Sequence, residues 1–233
     1  MPFDKSLTLR IVSAAVLMPV VLWAIMYGGA PFLLLMGAAL YISIREWVGM
    51  TKSEGFCGYM GCGIAYILLC FTAFVYLRLH YSQDSGAPFA LVLLLCVWAT
   101  DIGAYFSGKA IGGPKMAPTI SPNKTWAGLI GGIVSSIAAF FLFAHVIGPF
   151  LGEAIWSTNI LPEGFTTPII IGLGVMIAIV GQIGDLAISM VKRKVGVKDT
   201  GALIPGHGGI LDRIDSLLLA APAFLAALMV LSL

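Results

Sequence analysis

The last third of the chain carries the residues best suited to chemistry: Gly184-Asp185, Ser189, Lys192-Arg193-Lys194, Lys198-Asp199, His207-Gly208-Gly209 and Asp212-Arg213-Ile214-Asp215. Asp185, Ser189 and Lys192 stand at i, i+4 and i+7, so a helix presents them as one polar stripe. Asp212 and Asp215, at i and i+3, share a face at the start of the next helix. Carboxylates on two neighbouring helix ends, among many cations, are what a Mg²⁺-nucleotide needs: hard oxygen ligands for the metal, and lysine or arginine for the phosphates. His207 between glycines is placed to approach a phosphate or a base, and Gly206, Gly208 and Gly209 admit backbone conformations barred to other residues.

Two further polar clusters interrupt the apolar pattern upstream. In Ala99 to Gly108, Asp101 falls inside an otherwise apolar span, with Tyr105 and Gly108 on its face at i+4 and i+7. An ionisable group in a transmembrane segment is costly and points to function. The second cluster, Ser121-Pro-Asn-Lys-Thr-Trp126, precedes an apolar span. Read as a helix start, it brings free N–H groups, a positive dipole end and the Lys124 ammonium together, a combination suited to phosphate. Each piece also has a plainer reading. Asp101 would serve as a structural partner for a lysine, Ser121 to Lys124 as a cap with a basic flank, Lys192 to Lys194 as a positive-inside anchor, and His207 as a loop histidine. Their coincidence is what hydrophobic packing does not require.

These residues must be positioned by membrane helices. Of 233 residues, 59% are hydrophobic and 10% charged, far below the charge content of a soluble domain. Seven apolar segments predict seven spans: Leu9 to Gly28, Pro31 to Ile44 (short), Gly58 to Leu79, Pro88 to Ala110, Trp126 to Phe150, Pro168 to Met190 and Ile214 to Leu233. Because lipid-exposed backbone must satisfy its own hydrogen bonds and barrel alternation is missing, the expected class is an all-α polytopic bundle. Its polar site lies at the cytoplasmic helix ends, and the first span is retained rather than cleaved. With seven spans the basic groups Lys5/Arg10, Arg45/Lys52, Lys109 to Lys124 and Lys192 to Arg213 fall on one side, implying an N-in, C-out topology. Arg78, His80, Asp84, Glu153 and Glu163 fall on the other. Cys57, Cys62, Cys70 and Cys96 lack metal-ligand spacing and read as small core residues. Gly128, Gly131 and Gly132 suit close helix packing. One domain, 1–233, is expected, with N-terminal helices over 9–97, a catalytic core over 98–216 and the last helix over 214–233.

The run Ser189-Met-Val-Lys-Arg193, Lys198-Asp199 and His207-Gly-Gly-Ile-Leu-Asp-Arg-Ile-Asp215 resembles the signature of the phosphatidate cytidylyltransferase family, in residue type and in spacing. Thr-Asp-Ile-Gly-Ala-Tyr-Phe106 and Ser-Pro-Asn-Lys-Thr-Trp126 resemble its upstream block, and Ala127 stands where the family commonly has glutamate. The resemblance implies attack by the phosphate of phosphatidic acid on the α-phosphorus of CTP, giving CDP-diacylglycerol and pyrophosphate at an inner membrane, with the site facing the cytoplasm. It implies Mg²⁺, with room for a second cation, on Asp185, Asp212 and Asp215. Lys192, Arg193, Lys198 and Arg213 would neutralise phosphates, and Asp185, Asp212, Lys192 and Arg213 form the catalytic set. Ser121, Asn123 and Lys124 would meet a second phosphate, with Asp101, Ser189, Asp199, His207, Gly208 and Gly209 also at the substrates. His207 is not needed as a general base, because the nucleophile is already ionised. Expected partners are CTP, phosphatidic acid, membrane lipids and a second copy of the chain, and no nucleic acid. A CTP-dependent lipid kinase and an ion-coupled transporter are the rival readings.

Overall fold

Long apolar runs with no alternation fold as helices wherever side chains must face lipid. A computed structural model describes residues 5–52, 57–79, 86–151, 164–201, 203 and 208–233. Its helices are α1 (Lys5–Tyr27), α2 (Gly29–Thr51), α3 (Cys57–Leu79), α4 (Ala87–Ile111), α5 (Trp126–Leu142), α6 (Gly148–Leu151), α7 (Thr167–Lys194) and α8 (Leu211–Leu231). A π turn, Phe143–Ile147, joins α5 to α6. Among the described residues six spans are long and apolar enough to cross a membrane, and α1 adds the shorter apolar stretch Ala15–Tyr27. The all-α polytopic class is borne out.

Three expectations are corrected. The short second span is a full helix, because α2 continues past Ile44 to Thr51. Its charges do not end it: Arg45 donates to the Tyr41 hydroxyl one turn back (3.1 Å), and Glu46 is buried against backbone donors. Second, Ser121–Thr125 is a strand, β2, paired antiparallel with β1 (Lys115–Ala117). α4 and α5 lie side by side, so their link must run out and return, and the backbone satisfies itself as a hairpin closed by Ile120 N–H on Ala117 O. The cap of α5 is Thr125, whose hydroxyl accepts from Gly128 N–H (3.0 Å), not the residues near Ser121. Third, Arg78, counted with a loop, lies in the last turn of α3; among the cysteines Cys62 is on the outer surface of that helix and Cys70 and Cys96 are buried.

α4 and α5 pack backbone against backbone along a seam of small residues. A Cβ on Gly131 would overlap the Ser107 side chain of α4, and one on Gly128 would lie 2.9 Å from Ala104 O. Small residues let these backbones meet, which apolar burial alone does not achieve in lipid. α7 continues the layer beyond α5, and α8 lies against both α7 and α3. One core gathers Phe32, Phe89, Phe140, Phe143 and Phe224. A second, smaller one, under the charged ends, joins Trp47, Ile67, Phe71, Ile188, Val191, Leu211 and Leu218.

At the end away from the charges, Arg78 is buried rather than lying in an open loop. Its Nε donates to Ile25 O and its Nη2 to Met26 O (3.2 Å), closing the last carbonyls of α1, and its guanidinium stands 5.9 Å over the Phe32 ring. Gly28 turns there with φ 72°, and a side chain on it would collide with the guanidinium.

Candidate active site

α7 carries the polar stripe as its spacing predicts. Ser189 Oγ donates to Asp185 Oδ1 (3.1 Å), one turn away, and Lys192 reaches across to α8. Gly184 allows that approach, since a Cβ there would fall 2.8 Å from Asp215 O. The Lys192 Nζ to Asp212 Oδ1 separation is 2.7 Å, with the two side chains only 10% and 6% exposed. From the hairpin, Lys124 Nζ pairs with Asp185 Oδ2 at 2.5 Å. β2, α7 and α8 are thereby tied by two lysine–aspartate pairs.

Asp101 of α4 and Asp215 of α8 complete the cleft. Asp215 feels the charges of Asp185, Asp101 and Lys192, and its Oδ1 accepts from Ser216 N–H (2.8 Å). Asp101 feels Asp185, Lys124 and Arg213. Counting along the helices, Asp101 precedes the end of α4 at Ile111 by ten residues and Asp185 precedes the end of α7 at Lys194 by nine. At 1.5 Å per residue both lie roughly 14 Å inside the helix ends, deeper than a site on the rim. Asp101 is exposed next to exposed Ile102, Tyr105 and Phe106, so the cleft is open at α4. Tyr105 shares that exposed side, whereas Gly108 turns onto α5, with Thr125 Oγ1 3.0 Å from where its Cβ would be.

Asp212 is the most heavily bonded of the four aspartates. Its Oδ2 accepts from Thr200 N–H (2.9 Å), Thr200 hydroxyl (3.0 Å) and Gly209 N–H (3.1 Å), which leaves Oδ1 as the oxygen turned to Lys192. Among the described residues no three His, Cys, Asp or Glu side chains form a closed metal cage. The donor set still fits a hard cation. Asp185 and Asp212 each direct one hard carboxylate oxygen at a lysine ammonium.

The remaining expected residues divide. Arg193 Nε donates to Ile120 O (3.2 Å) and its Nη1 to Val197 O (3.4 Å), tying the hairpin turn and the loop to α7. Lys194, read as part of the basic run, donates to the Tyr59 hydroxyl (2.9 Å) on α3. Lys198, Asp199, Asn123 and Arg213 are exposed, and Ser121 is half-buried in β2. Gly208, with φ 81°, uses its freedom from a Cβ, and Asp199 lies beside it. His207 and Gly206 lie outside the described residues.

Two contributors escaped the sequence reading. Thr200 bridges Asp212 to Glu46, and Glu46 on α2 accepts from Ile210 N–H (2.9 Å), Leu211 N–H (3.0 Å) and the Thr200 hydroxyl (3.0 Å). The signal for Glu46 was an apolar helical pattern continuing through Trp47 to Met50, which makes Glu46 a carboxylate inside a span and not a loop charge.

Residues 56–231 match the cytidylyltransferase family. A phosphatidate cytidylyltransferase of Brucella suis is 34% identical over 261 residues, covering 93% of this chain and 91% of that protein. One from Rickettsia bellii is 36% identical over 219 residues, covering 94% and 89%. One from Haemophilus influenzae is 45% identical over 147 residues, covering 62% of this chain and 48% of that protein.

Proposed function

We propose, from the premise that this chain belongs to the cytidylyltransferase family, that it transfers the cytidylyl group of CTP to phosphatidic acid, forming CDP-diacylglycerol and pyrophosphate. The observation that carries the reading is the cleft itself: Asp101, Asp185, Asp212 and Asp215 from three helices, interleaved with Lys124 and Lys192, sunk into an apolar bundle. A phosphate-bearing lipid and a water-soluble nucleotide need such a place, polar inside and open beside lipid-facing side chains. Charges that converge in one cleft, rather than being strung along a path across the bundle, also favour it over the ion-coupled transporter.

An oxygen of the lipid phosphate attacks the α-phosphorus of CTP. The bond from that phosphorus to the bridging oxygen breaks, and pyrophosphate leaves with the electron pair. Such transfers depend on alignment and on neutralising charge more than on covalent help from the protein. Lys192 and Lys124, already within 2.7 and 2.5 Å of carboxylate oxygens, are placed to exchange those partners for phosphate oxygens when substrate enters. Ser189 holds Asp185 in its rotamer, and Arg193 holds the hairpin turn over the cleft. Arg213 and the exposed Lys198 and Asn123, with Ser121 of β2, are the further phosphate contacts of this reading. Asp185 and Asp212, with Asp215, would hold Mg²⁺, which when bound offsets the charge of the triphosphate. The charged ends face the cytoplasm of a bacterial inner membrane, supported by Arg45, Lys109, Lys115, Lys192, Lys194 and Lys198 at one end of the bundle. A second copy of the chain belongs to the reading, and the mass of the detergent-solubilised enzyme decides it.

The test is pyrophosphate release by purified enzyme in mixed micelles with phosphatidic acid, CTP and Mg²⁺, each omitted in turn. Release that requires all three, with CDP-diacylglycerol as lipid product, is expected. Folded protein that releases none, or that phosphorylates a lipid alcohol instead, overturns the reading.

A further inference from the structure

Glu46 lies on α2, outside the 56–231 stretch that matches the family, and 154 residues or more from every group it binds. Its carboxylate is 9% exposed and fully engaged: Oε1 accepts from Ile210 N–H, and Oε2 from Leu211 N–H and the Thr200 hydroxyl. α8 has no cap of its own, because Ile210, at its N-cap position, is apolar and in helical conformation. The free N–H groups that open every helix are therefore met here by an anion from another helix, which also complements the positive end of the α8 dipole.

The contact continues toward the cleft. Thr200 Oγ1 lies 3.0 Å from both Glu46 Oε2 and Asp212 Oδ2, one hydroxyl proton between two carboxylates. Thr200 N–H and Gly209 N–H fix the same Asp212 oxygen, which turns Oδ1 to Lys192. The backbone around Glu46 is built for this. A Cβ on Gly201 would fall 2.9 Å from Glu46 Oε1, and one on Gly209 would overlap Thr200 Oγ1 and Glu46 Oε2. α2 is itself anchored next door: Trp47 is buried, its Nε1 donates to Tyr59 O (3.1 Å) on α3, and its ring packs in the core that holds Leu211.

We propose that Glu46 is a positioning residue for the transfer reaction: from α2 it fixes the first turn of α8 and, through Thr200, the orientation of the Asp212 carboxylate. The inference rests on the reading of the cleft as the cytidylyl-transfer site. Glu46 touches no reacting atom. It keeps Thr200 and the turn from Gly209 to Asp212 registered against the lysine of α7.

The experiment compares wild type, Glu46→Gln, Glu46→Asp, Thr200→Val and the Glu46→Gln/Thr200→Val pair, all as full-length protein in detergent. Arg78→Met, at the far end of the bundle, serves as a variant that loosens the fold without touching the cleft. Glutamine keeps the shape but offers one carbonyl oxygen where three donors meet. The expected result is a kcat lower by about tenfold or more per folded molecule in Glu46→Gln, with KM for CTP and phosphatidic acid within about threefold. Part of the rate should return in Glu46→Asp, and the double variant should lose little more than the worse single one. Amide exchange at Ile210 and Leu211, followed by mass spectrometry, should quicken in Glu46→Gln and not in Arg78→Met. A Glu46→Gln enzyme that turns over like wild type, or that differs from it only in thermal stability as Arg78→Met does, overturns the proposal. So does unchanged exchange at the two amides, a result that holds whatever the activity. If wild type itself makes no CDP-diacylglycerol, the failure belongs to the functional reading, and the exchange result alone then decides whether Glu46 is the anchor.

Discussion

Replacing Lys192 with methionine keeps the length of the side chain and removes its charge from a nearly buried pair. At 2.7 Å, and with an effective dielectric near 20, the direct attraction between Lys192 and Asp212 is roughly 6 kcal/mol. Most of that is offset by the cost of bringing two ions out of water, and removing one partner of such a pair typically costs about 3–5 kcal/mol. Asp212 keeps two backbone donors on Oδ2 and a share of the Thr200 hydroxyl when the lysine is gone, so the lower end applies, about 3 kcal/mol. For a chain of this size each kcal/mol moves the melting temperature by about 2–4 °C, so Lys192→Met should melt about 6–12 °C lower in detergent. Asp212→Asn should also melt lower, and the double variant should recover about 2 kcal/mol relative to the sum of the singles, because neither charge is left alone. Thermal unfolding of the three variants, with wild type, measures the cycle. Additive losses, or a Lys192→Met melting point within about 2 °C of wild type, would refute the claim that the pair is buried and mutually dependent.

Asp185→Asn removes the charge that holds Lys124 and the expected metal, and turnover should fall by about a thousandfold while the protein remains folded in the membrane. Steady-state rates with Mg²⁺ check it, and near-wild-type activity removes Asp185 from the metal set. Lys124→Ala should raise KM for CTP or phosphatidic acid by about tenfold, near 1.4 kcal/mol of lost phosphate contact, and an unchanged KM for both sinks the assignment. Gly131→Ala sets a methyl against Ser107 in the α4–α5 seam and should cost about 1–3 kcal/mol, read as a lower melting temperature. A melting point equal to wild type would mean the seam has slack.

What could be read from the sequence was what repeats locally. Span positions other than the end of α2 followed from apolar length, and the Asp185, Ser189 and Lys192 stripe followed from helical periodicity alone. Asp212 and Asp215 were placed on the right helix start, but the division of labour between them, one saturated by loop donors and the other facing Asp185 and Asp101, depends on the loop and on α4. Glu46 was passed over and Arg78 misplaced for one reason. Each is a charge near a span end, where lysine and arginine normally mark a loop, and each is buried by partners supplied from far along the chain. The hairpin was hidden because Ser-Pro-Asn-Lys-Thr125 has no strand character of its own and pairs only because α4 and α5 are seamed together.

Arg78 also bears on how the bundle is born. A chain that enters the membrane from its N-terminus exposes the last turn of α1 before α3 exists, so Ile25 O and Met26 O wait with no side-chain partner until a residue more than fifty positions later arrives. The guanidinium beside Phe32 supplies that partner, so the contact that closes the turn between α1 and α2 is carried by α3.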